Sequence, residues 1–596
     1  PVSNYAFLNY GNLKFENKTN SLGLYKPSFS NGSAYGDLDN DGDYDLVVNN
    51  VNMRAFIYEN KTEEFYPENK FLKIKLKGRD KNLDAIGSKV FIYSGDKTFN
   101  IEQMPIRGFQ STVDNNLIFG VGDTDVVDSI IVNWYDGSMS KVQNISTSQS
   151  LIFDIKDSEI SDDILRIKEN IYFKETTGDL ISFIHNENDF VDFDRDRLLF
   201  HMSSSEGSCI CKGDLDNDGK DDLYIGGSSG YPGEIFLFRG GKYKKQDYVF
   251  LEKDKQSEDA DCLIFDANGD GNNDIYVASG GNEFSVFSPE LIDRIYINNN
   301  LNFKKSEQIL PTGIFSSSSV VISYDYDSDG DEDLFVGSRL IPQKYGLPAT
   351  SYILENNGDG IFTDVSQLIA PELKDLGMVT DAEWIDYDND NDIDLIVVGQ
   401  WMPITIFENN DNRFTKNLKS GLNNSNGWWN TLEVADIDND GFDDLLVGNQ
   451  GKNSRFKSSL EKPLTMYVND FDDNGNIEQI VFQYNGDSSY TMCLRHDLVM
   501  QMPSFKKRYL KYNSYKNQTA SDIFNFEKLN SSQVNKIYTQ ETSLFFNNSG
   551  TFSKGSLPID AQFSSVYSIF IKDLNDDGYK DIILGGNLYS VKPEVG

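Results

Sequence analysis

The sequence is poor in the residues that most catalytic and redox folds depend on. Its 596 residues include four cysteines and three histidines. Cys209, Cys211, Cys262 and Cys493 show no paired CxxC spacing, which argues against a zinc ribbon or dithiol motif and leaves buried free thiols as the expectation. His185, His201 and His496 belong to no HExxH, and no GxSxG elbow, Walker loop or GxGxxG after a strand is present. The chain is therefore expected not to be an enzyme. No apolar run reaches the ~18 residues that a spanning helix needs, so no membrane span is expected. With 15 prolines, 38% hydrophobic and 13% aromatic residues, the chain is too apolar to be disordered. Cations are also in deficit: 54 Lys and Arg against 94 Asp and Glu give a net charge of -40. That charge repels phosphate backbones and anionic lipid, which excludes nucleic acid as an expected partner.

Single cores stop growing near ~250–300 residues, so this length predicts two or three domains. The chain opens at Pro1 without a signal segment and closes at Gly596 after a strand-like run, so both ends are expected to be cut.

The acids are concentrated in a repeat. Asp37-Leu38-Asp39-Asn40-Asp41-Gly42-Asp43-Tyr44-Asp45 recurs seven more times, from Asp214, Asp266, Asp325, Asp386, Asp436, Asp470 and Asp573, and the eight loops hold 37 of the 94 acids. Each loop has oxygen side chains at positions 1, 3, 5 and 9. The candidate ligands are Asp37, Asp39, Asp41 and Asp45, then Asp214, Asp216, Asp218 and Asp222, then Asp266, Asn268, Asp270 and Asp274. The fourth and fifth sets are Asp325, Asp327, Asp329 and Asp333, and Asp386, Asp388, Asp390 and Asp394. The last three are Asp436, Asp438, Asp440 and Asp444, then Asp470, Asp472, Asn474 and Glu478, then Asp573, Asn575, Asp577 and Asp581.

Alternate oxygens on a tight turn suit a hard cation, since Ca²⁺ takes six to eight oxygens at about 2.3–2.6 Å. Up to about eight calcium ions are expected. Position 6 is glycine except for Asn391, both being residues that tolerate the left-handed backbone a sharp turn needs. An EF-hand would need an acid at position 12, but that position is Val48, Ile225, Val277, Val336, Val397, Val447, Val481 or Leu584, inside strand-like runs. The loops therefore belong to β-hairpins. Asp- and Gly-rich turns also occur without metal, but eight copies would leave some thirty uncompensated carboxylates at close range.

From Asp214 onward the loop starts lie 52, 59, 61, 50, 34 and 103 residues apart. Four of these intervals fit one four-stranded propeller blade per repeat. The seven loops predict a seven-bladed propeller, with the Asp470 loop on an unusual edge of its blade and a long insertion through about residue 560.

These loops, each followed by an apolar strand and accompanied by turns such as Asn356-Asn357-Gly358-Asp359-Gly360, resemble the FG-GAP/VCBS repeats of integrin α-chain propellers. Residues 67–157 lack such loops and are similar to the ASPIC/UnbV domain. The matching landmarks are Leu76-Lys77-Gly78, Asn82, Ala85-Ile86-Gly87, Gly108-Phe109-Gln110-Ser111, Phe119-Gly120-Val121-Gly122 and Val132-Asn133-Trp134 before Asp136-Gly137, with Tyr135 where that family usually has proline.

The implied fold is all-β: residues 1–66 as the final blade of an N-terminal propeller whose remainder is missing, 67–157 as a small β-sandwich-like domain, and 158–596 as a second propeller entered by a linker near 160–163. The arrangement resembles the bacterial surface relatives of cartilage acidic protein. It implies an extracellular or outer-membrane-associated, calcium-binding scaffold that holds a protein or glycan partner. It further implies an accessory lipoprotein of an outer-membrane transporter complex, with its lipidated cysteine in a missing segment. The rival is a polysaccharide lyase or hydrolase on the same scaffold, which acids and cations in a deep propeller mouth would favour and a shallow aromatic face would disfavour. Trp384 is expected in the core, and Trp428-Trp429, after the turn-rich Asn423–Gly427, is expected to face a partner.

Overall fold

The computed structural model describes residues 2–160, 172–176, 178–310, 312 and 316–592. The expected linker lies, from residue 161 on, outside them. The chain divides into two compact units, residues 1–172 and 173–596.

In the first unit the Asp37 loop joins Ser30–Gly36 to Asp45–Asn50 in a three-stranded antiparallel sheet completed by Phe56–Tyr58. It stands beside two sheets that share one core. Lys70–Lys77 alternates as a half-buried strand should: Leu72, Ile74 and Leu76 are buried, while Lys73 and Lys75 face away. That strand runs antiparallel to Asn116–Gly122 and parallel to Gln149–Asp154, and faces a five-stranded sheet containing Lys89–Ser94 and Val126–Asn133. Val90, Ile92, Ile130, Val132 and Trp134 close the core between them.

The second unit is a succession of antiparallel sheets, each starting on a strand that leads into one loop. The first four sheets open with Ile210–Gly213, Glu258–Phe265, Ser317–Tyr324 and Met378–Ile385 and are four-stranded meanders, the fourth gaining a short extra strand, Gly427–Trp428. The fifth opens with Thr431–Ala435 and Asp444–Gly448 and ends, after an insertion, with Ser543–Asn547 and Phe552–Lys554. The sixth is the pair Ser568–Lys572 and Asp581–Gly585. The opening strands pack against one another in that order, the arrangement of propeller blades about an axis. Near the chain's end Val591 bridges to His201, and Met202 N–H donates to Ser590 O at 2.8 Å. The His201 segment thus pairs beside the last blade.

The seventh loop of the chain, from Asp470, is not on a blade edge. Asp470–Glu478 joins Leu464–Asn469 to Glu478–Asn485 in a separate four-stranded sheet, lodged between the second and third strands of the fifth blade. Among the described residues of this unit, six of the seven loops therefore lie on blades and the Asp470 loop does not. The inserted sheet is anchored by aromatic packing: Phe456 lies 5.2 Å from Phe200 and 5.5 Å from Trp428, between ring centroids. Trp428 and Trp429 are 4% and 0% exposed, so the expected partner surface is interior. Trp384 packs against the core, as expected.

Candidate metal centres

Seven of the eight loops share one hydrogen-bond plan, in which the position-1 carboxylate accepts the backbone N–H groups of positions 5 and 6. In the fifth loop, Asp386 Oδ1 takes Asp390 N at 3.1 Å and Oδ2 takes Asn391 N at 3.0 Å. The position-5 oxygen accepts the N–H of position 7, as in Asp440 Oδ1 from Phe442 N at 2.9 Å. Two residues per loop adopt positive φ. Position 6 was anticipated, with Asn391 at 72°. Position 4 was not, and it is held by Asn40, Asn217, Gly269, Ser328, Asn389, Asn439, Asp473 and Asp576 at 57° to 67°. Gly, Asn and Asp are the types that enter this region most readily.

Position 9 does more than the sequence showed. It is the first residue of the second strand in every loop and is buried in all but Asp581. Asp274 accepts Ala267 N at 3.0 Å on one oxygen and Asn298 N at 2.6 Å on the other, tying position 2 of the loop to the end of the third strand. Asp222 and Asp444 repeat the pattern.

The asparagine at that third-strand end was also missed. Asn298, Asn356 and Asn547 donate their side-chain amides to Leu215 O, Ala267 O and Tyr387 O at 2.7 to 2.9 Å, each the position-2 carbonyl of the preceding blade's loop. The loops from Asp214, Asp266 and Asp386 are thus knitted to the next blade, whereas Asn409 donates to Ile393 O within its own blade. The signal was present as the recurring doublets Asn298-Asn299, Asn356-Asn357, Asn409-Asn410 and Asn547-Asn548.

The donors fit a hard cation. Carboxylate oxygens of Asp214, Asp216 and Asp218 lie within 4.8 Å of one another, as do those of Asp325, Asp327 and Asp333, and of Asp386, Asp388 and Asp394. Several such oxygens are buried with no hydrogen-bond partner: Asp216, Asp388 and Asp472 at position 3, and Asp333, Asp394 and Glu478 at position 9. Burial and the neighbouring acids push Asp274, Asp333, Asp394 and Glu478 up to about 7. Buried, unpartnered carboxylate oxygens at recurring positions require a proton or a cation, and an all-oxygen donor set is the chemistry of Ca²⁺.

The first loop departs from this plan. The Lys73 ammonium, from the neighbouring β domain, lies 2.7 Å from Asp37, whose side chain is 1% exposed. Phe71 of the same strand lies so close to Gly42 that a Cβ there would fall 2.2 Å from its ring. A protein cation therefore already serves part of this loop.

At the other end of the blades, residues from all six surround a polar pocket of about 290 Å³. Ser203, Glu206, Glu258, Ser318, Arg339 and Tyr567 are among its walls. Arg339 forms an ion pair with Glu206, and burial raises Glu258 to about 9. Sequence spacing gave no sign of this site, because its residues come from six separate strand ends.

His201 is buried against Tyr345 and Trp428, His185 pairs with Glu187, and His496 lies beside Asp497, so all three have structural neighbours. The cysteines are free; Cys209, Cys262 and Cys493 are buried and Cys211 is half-buried.

The family model described as ASPIC and UnbV matches residues 78–160, and that described as FG-GAP-like repeat matches 266–336, 325–397 and 386–447. No curated protein matches the chain. Among solved structures, an Agrocybe aegerita lectin that recognises non-reducing terminal N-acetylglucosamine is 14% identical, covers 65% of this chain and 86% of its own, and has a TM-score of 0.29. The V. cholerae biofilm matrix protein Bap1 is 11% identical, with 65% and 77% covered and a TM-score of 0.27. A putative exo-β-1,3-galactanase from Bifidobacterium bifidum is 10% identical, with 50% and 91% covered and a TM-score of 0.23. Likenesses this distant carry no argument here. The family matches, the loop-bearing sheets and the two-sheet β domain agree with one another: the chain is all-β and carries FG-GAP-like repeats and an ASPIC/UnbV domain.

Proposed function

We propose that the protein is a calcium-loaded extracellular scaffold that binds a protein or glycan partner at the bacterial cell surface and performs no catalysis of its own. The observation that carries the calcium is the set of buried carboxylate oxygens without partners at positions 3 and 9. Extracellular modules bind calcium in the ~10⁻⁴–10⁻³ M range, so such loops suit a compartment where calcium is millimolar. One site at tenfold excess over its Kd adds roughly 1.4 kcal/mol by mass action. Because Asn298, Asn356 and Asn547 link loops to neighbouring blades, ion binding stiffens the ring as well as the hairpin. A net charge of -40 disfavours nucleic acid, and among the described residues no helix is long and apolar enough to cross a membrane. A role as an accessory lipoprotein of an outer-membrane transporter complex is part of the same proposal, motivated by the family resemblance.

The test is unfolding of the intact chain in EGTA and in millimolar calcium, with bound metal counted by mass spectrometry. Several bound ions and a clear rise in Tm support the reading. The same Tm in both conditions, with no metal, removes it.

The enzyme reading is favoured by one observation: the pocket at the blade ends holds two glutamates and an arginine, and Glu258 keeps its proton at neutral pH. New reducing ends or unsaturated sugars after incubation with acidic and neutral polysaccharides would establish it.

A further inference from the structure

The pocket at the blade ends has three features that together specify a ligand. Its position is the first. It is walled by the starts of the opening strands, around Ser208, Glu258, Ser318, Thr380, Asn430 and Tyr567, so it lies on the axis of the blades and at the end opposite the acidic loops. At about 290 Å³ it is at the small end of ligand sites, room for one small ring rather than a peptide segment.

The second feature is unmet hydrogen bonding. Ser203 is 6% exposed and its Oγ has no partner, and Arg339 Nε is likewise buried and unpartnered. Buried polar groups left in this state are rare, and each points to a missing water or ligand.

The third is charge balance. Arg339 is paired with Glu206, Asp259 is paired with Arg294, and burial keeps the Glu258 carboxyl protonated. The walls therefore offer donors and acceptors with no net charge, and Tyr567 is the one aromatic among the described lining residues. An ionic ligand would find its counter-charge already engaged, and a flat apolar ligand would find little to stack on.

We propose that this axial pocket binds a neutral, hydroxyl-rich ring, the terminal monosaccharide of a glycan. The proposal rests on the reading of the protein as a binding scaffold and gives that scaffold a site and a ligand class. A sugar's hydroxyls both donate and accept, which suits serine hydroxyls, a guanidinium N–H and a protonated carboxyl at once.

The test uses the full chain in millimolar calcium with galactose, glucose, mannose, fucose and N-acetylglucosamine as probes and glucuronate as the charged comparison, read by saturation-transfer NMR and titration calorimetry. Two variants are compared: Ser208→Trp, which fills the pocket mouth, and Arg339→Gln, which changes little volume and removes the guanidinium. At least one neutral sugar is expected to bind, with affinity falling tenfold or more in each variant while the calcium-dependent rise in Tm is kept. If Ser208→Trp loses that rise, Arg339→Gln alone decides. Binding of glucuronate in preference to every neutral sugar, no sugar binding, or affinity unchanged in Arg339→Gln overturns the proposal. Partner capture from cell surfaces that survives both variants would overturn the pocket and leave the scaffold reading standing.

Discussion

Of two acids in one loop, one should serve only the ion and the other the fold as well. In the fifth loop, Asp388 Oδ1 is buried without a partner, and burial together with Asp390 and Asp386 raises its carboxyl above the ordinary range. Without an ion this group opposes folding, so Asp388→Asn in EGTA should be neutral or stabilising by up to ~1 kcal/mol, the scale of relieving one uncompensated polar group. With calcium at tenfold excess over Kd the same change should remove up to roughly 1.4 kcal/mol, the whole mass-action contribution of that site. Asp394 behaves differently because it also accepts the backbone N–H of the buried Asn409 at 2.8 Å. Asp394→Ala strands that N–H and should destabilise by about 1–3 kcal/mol in EGTA as well as in calcium. At ~2 cal/mol/K of unfolding entropy per residue, 1 kcal/mol moves Tm by only about 1 °C in a unit this long, so urea unfolding at fixed temperature is the better assay. Asp388→Asn that destabilises equally with and without calcium would refute the reasoning, since the carboxylate would then be serving the fold rather than an ion.

Other outcomes follow from the same geometry. Asn547→Ala removes donors to Tyr387 O and Asp443 O at 2.7 and 3.1 Å and should destabilise by roughly 2–3 kcal/mol in either calcium condition, measured by urea midpoint. Lys73→Met leaves the buried Asp37 without its ammonium, so hydrogen exchange of Asp45–Asn50 should speed up in EGTA and slow again on adding calcium. Asp261 and Asp381, raised to about 7 and about 6 chiefly by burial, bind protons in the folded state that the unfolded chain has released above pH ~4. Stability in EGTA should therefore fall as pH rises from about 4 to about 7, and Asp381→Asn should flatten the fall between about 4 and 6 while leaving the stretch from about 6 to 7 in place. Half-buried Cys211 should react with iodoacetamide in the native protein well before Cys209, whose buried thiol is raised to about 11.

Much of this was legible because the loop chemistry is local. Positions 1, 3, 5 and 9, the glycine at 6 and the apolar strand behind them are consecutive residues, so one stretch of sequence displays them all. What could not be read depends on distant partners. The backbone duty of Asp274 needs Asn298, and the link from Asn547 runs to Tyr387 of another blade. The seventh loop misled the blade count because its sequence is a true copy of the repeat, placed in an inserted sheet. Trp429 misled because the turn before it wraps the indole instead of lifting it: its Nε1 donates to Ser425 O at 3.1 Å, and a Cβ on Gly427 would fall 2.4 Å from its ring.

Under the proposed function the two ends of the blades divide the work between stability and recognition, and that division can be tested. Opening strands such as Glu258–Phe265 and Ser317–Tyr324 run eight residues from the pocket wall to the first loop acid. At ~3.3 Å per residue the ends are about 25 Å apart, roughly two and a half to three times the ~8–10 Å over which exposed charges act at physiological ionic strength. An ion in a loop therefore cannot tune the pocket by its field. It can act only through the ring, by way of the asparagine links and the carboxylates of Asp261 and Asp381, which accept Val321 N and Leu432 N of the next blade at 2.8 Å. Those contacts are either made or lost with the fold, so ligand affinity should stay constant over every calcium concentration at which the protein remains folded. Affinity that climbs with calcium while circular dichroism stays unchanged would show that the blades transmit loop occupancy to the pocket, and that the two ends are coupled rather than separate.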